Sequence, residues 1–467
     1  MLFVDLDKTL IKSDYLFESF VNCFSQNIFA PIVSIYIFLI HGKVGLKKFL
    51  FENSVISVAN LPYNQDVLDV IGKWKKKFPD EKVILISATY YKAISQIANH
   101  LKCFDEFYGT KNTNLKSKVK LKKINEVAKN KNFFYIGDSF ADLPIWENAK
   151  KCYVVNPSSS LLKKIKIRNR SIEIIQSKDN NALLEVLKSI RLYQWTKNFL
   201  LFVPAILSFK SFPNLINDLI LGFFAFSLIS SAFYIINDLF DIENDRLHHS
   251  KKFRSFASSS LSIPQGFFIF CILIISSTII SVNLSQSFQV ILIIYSIASL
   301  TYTKYIKKIP ILDILTLSFL YLLRLIAGGV LIGVTITNWL LTFSVFFFLF
   351  LASVKRWVEL KKTNKINLSG RGYMNSDIPF LCNLSYFSGL ICVLVSCLYI
   401  ESQHTNALFA NSRLFWLMPV LLLFWVLETL FKVERNNIDD DPVKYALKSK
   451  TSYICLIGLL VLILFNI

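Results

Sequence analysis

Asp238, Asp241 and Asp245 stand three and four residues apart, a spacing that puts three carboxylates on one face of a continued helix. An almost uninterrupted apolar run, 219–236, precedes them, so they fall where a membrane helix meets water. Clustered carboxylates repel one another and require a cation. Hard oxygen ligands at a partly hydrated site suit Mg²⁺, which commonly brings a phosphate-bearing substrate. Asn237 precedes the set, and Arg246, His248, His249, Lys251, Lys252 and Arg254 follow it. Acid for a metal and base for phosphate, at the mouth of an apolar cavity, fit the handling of a lipid phosphate or diphosphate.

A second constellation lies near the start of the chain. Leu2-Phe3-Val4 reads as a short buried strand ending in Asp5, Asp7 and Thr9. Val83 to Ile86 reads as another strand, ending in Ser87, and Phe133 to Ile136 as a third, ending in Gly137-Asp138-Ser139 with Asp142 beyond. Helical patterns between them predict a parallel α/β sheet, whose ligands bind at the carboxyl ends of the strands, where these polar groups fall. There Asp5 can attack a phosphoryl group, and Asp7 can protonate the leaving oxygen and then activate water. Asp138, with Asp142 nearby, completes a Mg²⁺ site with Asp5 and Asp7, the latter through its backbone carbonyl. Ser87 and a lysine hold the phosphate. Lys116, Lys118, Lys120 and Lys122 are all candidates for that lysine; Lys120 is preferred because it opens the helical pattern that leads to the third strand.

Composition sets the frame for both. The chain has 467 residues, 53% of them hydrophobic, with 42 Phe and a mean hydropathy of +0.47, a load that a water-soluble protein of this size does not carry. Residues 191–467 hold about nine apolar spans, centred near 204, 226, 277, 297, 323, 346, 389, 422 and 459, and predict an all-α membrane bundle. The net charge of +20 concentrates in alternate loops, which reads as cytoplasmic loops facing anionic lipid and not as nucleic-acid binding. That rule predicts a multi-pass protein of a bacterial plasma membrane, with the N-terminal domain and Asp238 in the cytoplasm; an odd span count puts the C-terminus outside. Asp313, Arg324, Lys355, Arg356 and Glu359 gather toward the same side, and an ionisable group such as Arg324 inside an apolar span is a functional candidate. Asp439, Asp440 and Asp441 read as a solvated turn. The eight cysteines have no metal-ligand spacing and imply neither a zinc site nor a disulfide framework.

The front of the chain divides into an α/β domain over 1–155, with a helical insertion at about 14–70, and a basic linker over 156–190 carrying Lys163, Lys164, Lys166, Arg168 and Arg170. The insertion contains the apolar run Ile28 to Ile40, 13 residues, too short to span a bilayer at about 17–25 residues. It is either the core of the insertion or a face that rests on the membrane.

The ordered set Asp5-x-Asp7-x-Thr9, Ser87, a lysine and Gly137-Asp138-x-x-x-Asp142 resembles the haloacid dehalogenase (HAD) superfamily. The resemblance implies a phosphatase-like domain in which the insertion is a cap; Lys8 stands where a small residue is usual. Asn237-Asp238-x-x-Asp241-x-x-x-Asp245-Arg246 resembles the first motif of the UbiA superfamily of intramembrane prenyltransferases. Arg191-x-x-Gln194-Trp195-x-Lys197-Asn198, Leu312-Asp313, Leu323-Arg324-x-x-Ala327-Gly328-Gly329 and Lys355-Arg356-x-x-Glu359-Leu360 narrow the likeness to its decaprenyl-phosphate phosphoribosyltransferase branch. The resemblance implies a polyprenyl phosphate acceptor, phosphoribosyl pyrophosphate as co-substrate, and Mg²⁺ bridging Asp238, Asp241 and Asp245 to the sugar diphosphate. Lys197, Arg246, Lys251, Arg254 and Arg324 would bind phosphates, with Asn198, Asn237, Asp313 and Lys355 also in the substrate site. His249, Ser255 and Ser259 replace two prolines and a glycine of the branch's loop, which loosens it. The joint reading is an enzyme that makes a lipid-linked phosphoribose and removes its 5-phosphate. The competing reading is prenyl transfer from a diphosphate to an aromatic or other acceptor, beside an unrelated phosphatase or a non-catalytic module.

Overall fold

The computed structural model describes residues 1–464 apart from 130, 167–170, 177–180, 209–215, 363–370, 403–413, 438–444 and 447–448. Arg168, Arg170 and the Asp439–Asp441 triplet therefore lie outside the described residues. The chain forms two compact units, 1–191 with 234–270, and 192–233 with 271–467.

The first unit is built on a six-stranded parallel sheet. Its elements in chain order are β1 (Leu2–Val4), α1 (Tyr15–Gln26), α2 (Ala30–Glu52), α3 (Gln65–Lys77), β2 (Val83–Tyr90), α4 (Tyr91–Leu101), β3 (Glu106–Thr110), α5 (Lys118–Ala128), β4 (Phe134–Gly137), α6 (Leu143–Trp146), β5 (Lys151–Val155), α7 (Ser159–Lys166), β6 (Ile172–Ile175) and α8 (Ala182–Ile190). The sheet order is β3-β2-β1-β4-β5-β6. Central β1 pairs with β2 and β4 in parallel and is buried on both faces, as its unbroken apolar sequence requires. Asp5, Ser87 and Asp138 all stand at the carboxyl edge.

Two expectations change here. The segment taken as a basic linker adds strand β6, paired with β5, because Ile172, Ile174 and Ile175 supply an apolar run that completes the sheet. The apolar run at 28–40 is not the core of the insertion: it continues through Lys43 and Lys47 into a 23-residue helix, α2, kinked at Gly42. Phe29, Ile32, Ile35, Tyr36 and Leu39 are each more than 60% exposed, and α2 is long and apolar enough to cross a membrane. The first unit ends in the lower part of α10 (Ile216–Phe240), α11 (Ile242–Leu247) and the start of α12 (Ile263–Val282).

The second unit is helical. It holds a 3₁₀ stretch over Leu192–Phe202, α9 (Val203–Leu207), the upper part of α10, the rest of α12, then α13 (Gln286–Lys304), α14 (Leu312–Leu331), α15 (Asn338–Lys361), α16 (Ile378–Glu401), α17 (Leu417–Glu434) and α18 (Lys450–Leu464). Among the described residues seven helices, α2 included, are long and apolar enough to span a membrane, which makes this a multi-pass membrane protein. Six of the seven follow Arg191, where about nine spans were expected. The span expected near 204 is broken into the 3₁₀ stretch and a five-residue helix. That stretch packs on Gly328: a Cβ there would lie 2.0 Å from the Leu201 carbonyl oxygen, so the glycine of the Ala327-Gly328-Gly329 run is where backbone meets backbone.

Candidate active sites

In the first unit the strand ends bring four of the predicted groups together. Asp5 follows β1; its backbone N–H donates to Ile136 of β4 and its carboxylate accepts from Leu6 N–H at 2.8 Å. Asp5, Asp138 and Asp142 each offer an oxygen, and these oxygens lie within 4.8 Å of one another. Lys120, on the first turn of α5, is buried and donates to Asp5 at 2.8 Å and to Asp142 at 3.4 Å. Of the four candidate lysines, it is the one that reaches Asp5. Gly137 admits this crowding, because a Cβ there would lie 2.8 Å from the Asp142 Oδ2.

Asp7 goes elsewhere. Its carboxylate accepts from Tyr15 N–H at 2.8 Å, from Thr89 Oγ1 at 2.7 Å and from Ser87 Oγ at 3.4 Å, apart from the cluster of Asp5, Asp138 and Asp142. Sequence reading missed Thr89, Tyr135 and Lys47. The Tyr135 hydroxyl donates to Asp142 at 2.8 Å and accepts from Lys120 at 3.0 Å. Lys47 crosses from α2 to the Ala88 carbonyl at 2.6 Å and the Asn114 side chain at 2.8 Å. Tyr135 read as strand core, and Lys47 stood in no motif.

The electrostatics reflect three acids in one buried site. Burial and the neighbouring Asp5 and Asp142 push the Asp138 carboxyl up to about 8. Burial raises Asp5 to about 6 against the pull of Lys120, and burial with Asp14 raises Asp7 to about 6. Burial alone would lower the Lys120 ammonium, but Asp5 and Asp142 hold it above its usual range. A divalent cation among Asp5, Asp138 and Asp142 would relieve this repulsion, and an all-oxygen donor set suits Mg²⁺.

The second carboxylate set sits at the end of α10. The helix breaks at Asp241 (φ −97°, ψ 9°) and resumes as α11, so the continuous helix predicted there is interrupted by one residue. The predicted convergence survives for two of the three acids. Arg254 Nη1 donates to Asp238 at 3.0 Å and to Asp245 at 2.7 Å, and Arg191 also pairs with Asp238. Asp241 stands at the break. Burial raises the Asp245 carboxyl to about 6, opposed by Arg254. A guanidinium nitrogen between two carboxylates marks a position a divalent cation can take, so the donor set fits Mg²⁺ here as well.

Asn237 is half-buried on α10, and Lys251 is half-buried in a 3₁₀ turn over Lys251–Phe253. Arg246, expected to bind phosphate, turns instead to Glu18 of α1, donating at 2.6 and 3.1 Å. No local pattern links residues 228 positions apart. Ser259, where the resembled loop has glycine, adopts φ +60°.

The second unit carries two buried arginine clusters. Arg324 on α14 donates to Asn198 at 2.8 Å and Tyr295 at 3.0 Å and packs against the rings of Phe226, Tyr295 and Tyr321. Asn198 also donates to Ser227 at 2.9 Å, and Lys197 lies over the Tyr321 ring at 5.6 Å. Lys197, Asn198 and Arg324, each a candidate on its own in the sequence, thus lie in one neighbourhood. Asp313, fully buried, is enclosed by Arg356, Arg371 at 3.3 Å and the Tyr302 hydroxyl at 2.8 Å. Of the Lys355-Arg356 pair it is Arg356 that closes on Asp313, while Lys355 is half-buried. Asp313, expected in the substrate site, instead holds arginines.

Comparison with known proteins agrees with the membrane half. The profile of the UbiA prenyltransferase family matches residues 199–359. An uncharacterized protein y4nM of Sinorhizobium fredii is 32% identical over 462 residues, covering 97% of this chain and 88% of its own. A decaprenyl-phosphate phosphoribosyltransferase of Mycolicibacterium smegmatis is 29% identical over 221 residues, 45% of this chain and 70% of that protein. The solved structure of a UbiA homolog from Archaeoglobus fulgidus, bound to GPP and Mg²⁺, aligns with a TM-score of 0.47 and 15% identity over 60% of this chain and 99% of that one. The likeness to the UbiA prenyltransferase family thus rests on residues 199–359, which carry the Asp238–Asp245 motif, Asp313, Arg324 and Arg356.

Proposed function

We propose that this protein is a bifunctional membrane enzyme acting on a polyprenyl phosphate. Its UbiA part would join phosphoribosyl pyrophosphate to the lipid phosphate. Its α/β part, read as a HAD-type phosphatase, would remove the 5-phosphate of the lipid-linked sugar. The observation that carries the reading is the pair of acidic sites in one unit: Asp5, Asp138 and Asp142 beside Lys120, and Asp238 and Asp245 around Arg254. The 29% identity to a decaprenyl-phosphate phosphoribosyltransferase supports the choice of substrates. Mg²⁺, when bound by either set, would neutralise phosphate charge and stabilise a leaving group.

In the UbiA part, Asp238, Asp241 and Asp245 would hold the cation and Arg254, Lys251, Lys197 and Arg324 would bind phosphate groups. The lipid phosphate oxygen would attack the sugar C1 as pyrophosphate departs. In the α/β part, the Asp5 carboxylate would attack phosphorus and the sugar hydroxyl would leave with a proton from Asp7. Water, deprotonated by Asp7, would then release phosphate from Asp5. Lys120 would fix the Asp5 oxygen for attack, and Ser87 with Thr89 would orient Asp7. Charged loops in a cytoplasmic orientation would put both reactions on the side where sugar phosphates are found. Short-range tethering raises the local concentration of the intermediate to roughly millimolar.

The test uses purified full-length protein in detergent with Mg²⁺, a polyprenyl phosphate and labelled phosphoribosyl pyrophosphate. Label in the lipid phase, lost in Asp238→Asn, is the expected result. Turnover of a prenyl diphosphate with no labelled lipid would overturn the reading in favour of ordinary prenyl transfer.

A further inference from the structure

Three distant segments meet on Arg246. Its Nη1 and Nη2 donate to both oxygens of Glu18 on α1, at 3.1 and 2.6 Å, and its Nε donates to the Ala257 carbonyl at 3.1 Å. The pair is nearly closed to solvent, with side chains 9% and 4% exposed. All three nitrogens of the guanidinium are engaged, so its place is fixed by the N-terminal domain. Ala257 belongs to the loop between α11 and α12, which also carries Arg254, the residue that bridges Asp238 and Asp245.

A second grip on the same loop comes from α8. Ser255, adjacent to Arg254, donates to the Glu185 carboxylate at 2.9 Å and its backbone carbonyl at 3.2 Å, and Ser255 is buried. Two further contacts lie around these: Ser57 N–H, in the segment after α2, donates to Glu243 of α11 at 2.9 Å, and Phe24 of α1 meets Phe240 at the end of α10 edge-on at 5.0 Å. The loop has neither proline at 249 nor at 255, and Ser259 holds an αL conformation without being glycine. Its own backbone therefore supplies little rigidity. The restraint comes from outside it.

We propose that Glu18 and Glu185 are positioning residues for the transferase centre. They brace the loop at Arg246 and Ser255, and so keep Arg254 between Asp238 and Asp245. The α/β domain would then be a structural part of the transferase, beyond any chemistry of its own. The inference rests on the transferase reading of those two aspartates.

The experiment is hydrogen exchange on the full chain in detergent, comparing wild type with Glu18→Gln and Glu185→Gln and then titrating Mg²⁺ alone. Exchange at the amides of 254–259 is expected to rise roughly tenfold or more in each variant while β1 and β2 stay protected. The Mg²⁺ concentration that half-protects amides 238–245 is expected to fall about tenfold, because an unbraced Arg254 no longer holds the position between Asp238 and Asp245 that the cation takes. A purely structural role elsewhere would leave that Mg²⁺ requirement unmoved. Unchanged exchange at 254–259 in both variants overturns the inference. Should Glu18→Gln unfold the sheet, Glu185→Gln decides alone, since it leaves the Arg246 pair intact. The readout needs no substrate, so a failed bracing role is distinct from a failed transferase assignment, which shows as absent product in the labelled-lipid assay.

Discussion

Asp138→Asn is expected to stabilise the metal-free protein while removing the part of its Mg²⁺ response that belongs to the Asp5–Asp138–Asp142 site. Asp138 is half-buried beside Asp5 and Asp142, and its carboxyl is pushed up to about 8 from an ordinary 3.8. Between those values the folded state holds a proton that the unfolded chain has released. Stability of the metal-free fold therefore falls as pH rises through that window, with the loss complete once pH passes the folded value. At ~1.4 kcal/mol per pH unit, the cost near pH 7.5 is on the order of 3–5 kcal/mol. Asparagine removes the charge but leaves a half-buried amide to satisfy, so the net gain is about 2–3 kcal/mol. For a unit of this size that corresponds to a Tm rise of roughly 4–12 °C. The assay is thermal unfolding in detergent with EDTA and again with Mg²⁺, from pH 5 to 8. Wild type should lose stability as pH rises in EDTA and regain it with Mg²⁺; the variant should be flatter with pH and keep only the smaller Mg²⁺ response of the Asp238–Asp245 site. An Asp138→Asn protein that is less stable in EDTA, or that keeps the full Mg²⁺ shift, would refute the reasoning.

Other perturbations separate the remaining parts of the account. Lys120→Met strands buried Asp5 and Asp142 without their counter-charge and should cost about 3–5 kcal/mol, largely recovered by Mg²⁺, as thermal unfolding with and without the ion will show. Gly328→Ala forces a Cβ to within 2.0 Å of the Leu201 carbonyl oxygen and should destabilise the helical unit by about 3 kcal/mol, read as faster thermal inactivation in detergent. Arg356→Met leaves Asp313 fully buried beside fewer positive charges and should be strongly destabilising. Pairing it with Asp313→Asn should be milder than the single change, and a double-mutant cycle without coupling would remove the structural role given to that pair.

Much of the sheet and its acidic edge was legible in the sequence because period, burial and chemistry coincide there. Apolar strands lead into Asp5 and Asp138, β2 carries Ser87, and Lys120 in the first turn of α5 has the right place in the order. The carboxylates at 238–245 were legible for the same reason, since a helix repeat is a local property. What escaped was non-local. Glu18 reaches Arg246, Ser255 reaches Glu185, and Arg356 and Arg371 close on Asp313, and no spacing rule connects such positions. Arg246 and Asp313 were accordingly misread as open to substrate. The apolar count also misled at 204, where a tight approach to Gly328 favours a 3₁₀ path over a regular span, and at 28–40, where the helix runs on past a short apolar window. Strand β6 was lost in a stretch dominated by lysines because four residues, Ile172–Ile175, are enough to pair with an existing edge.

The measurement that bears most directly on the central claim is a one-pot reaction of full-length wild type and Asp5→Asn with Mg²⁺, polyprenyl phosphate and labelled phosphoribosyl pyrophosphate, with the lipid products separated by charge. The account predicts labelled lipid from both proteins, without its 5-phosphate in wild type and retaining it in Asp5→Asn. The same product charge from both proteins would contradict the division of labour between the two parts of the chain.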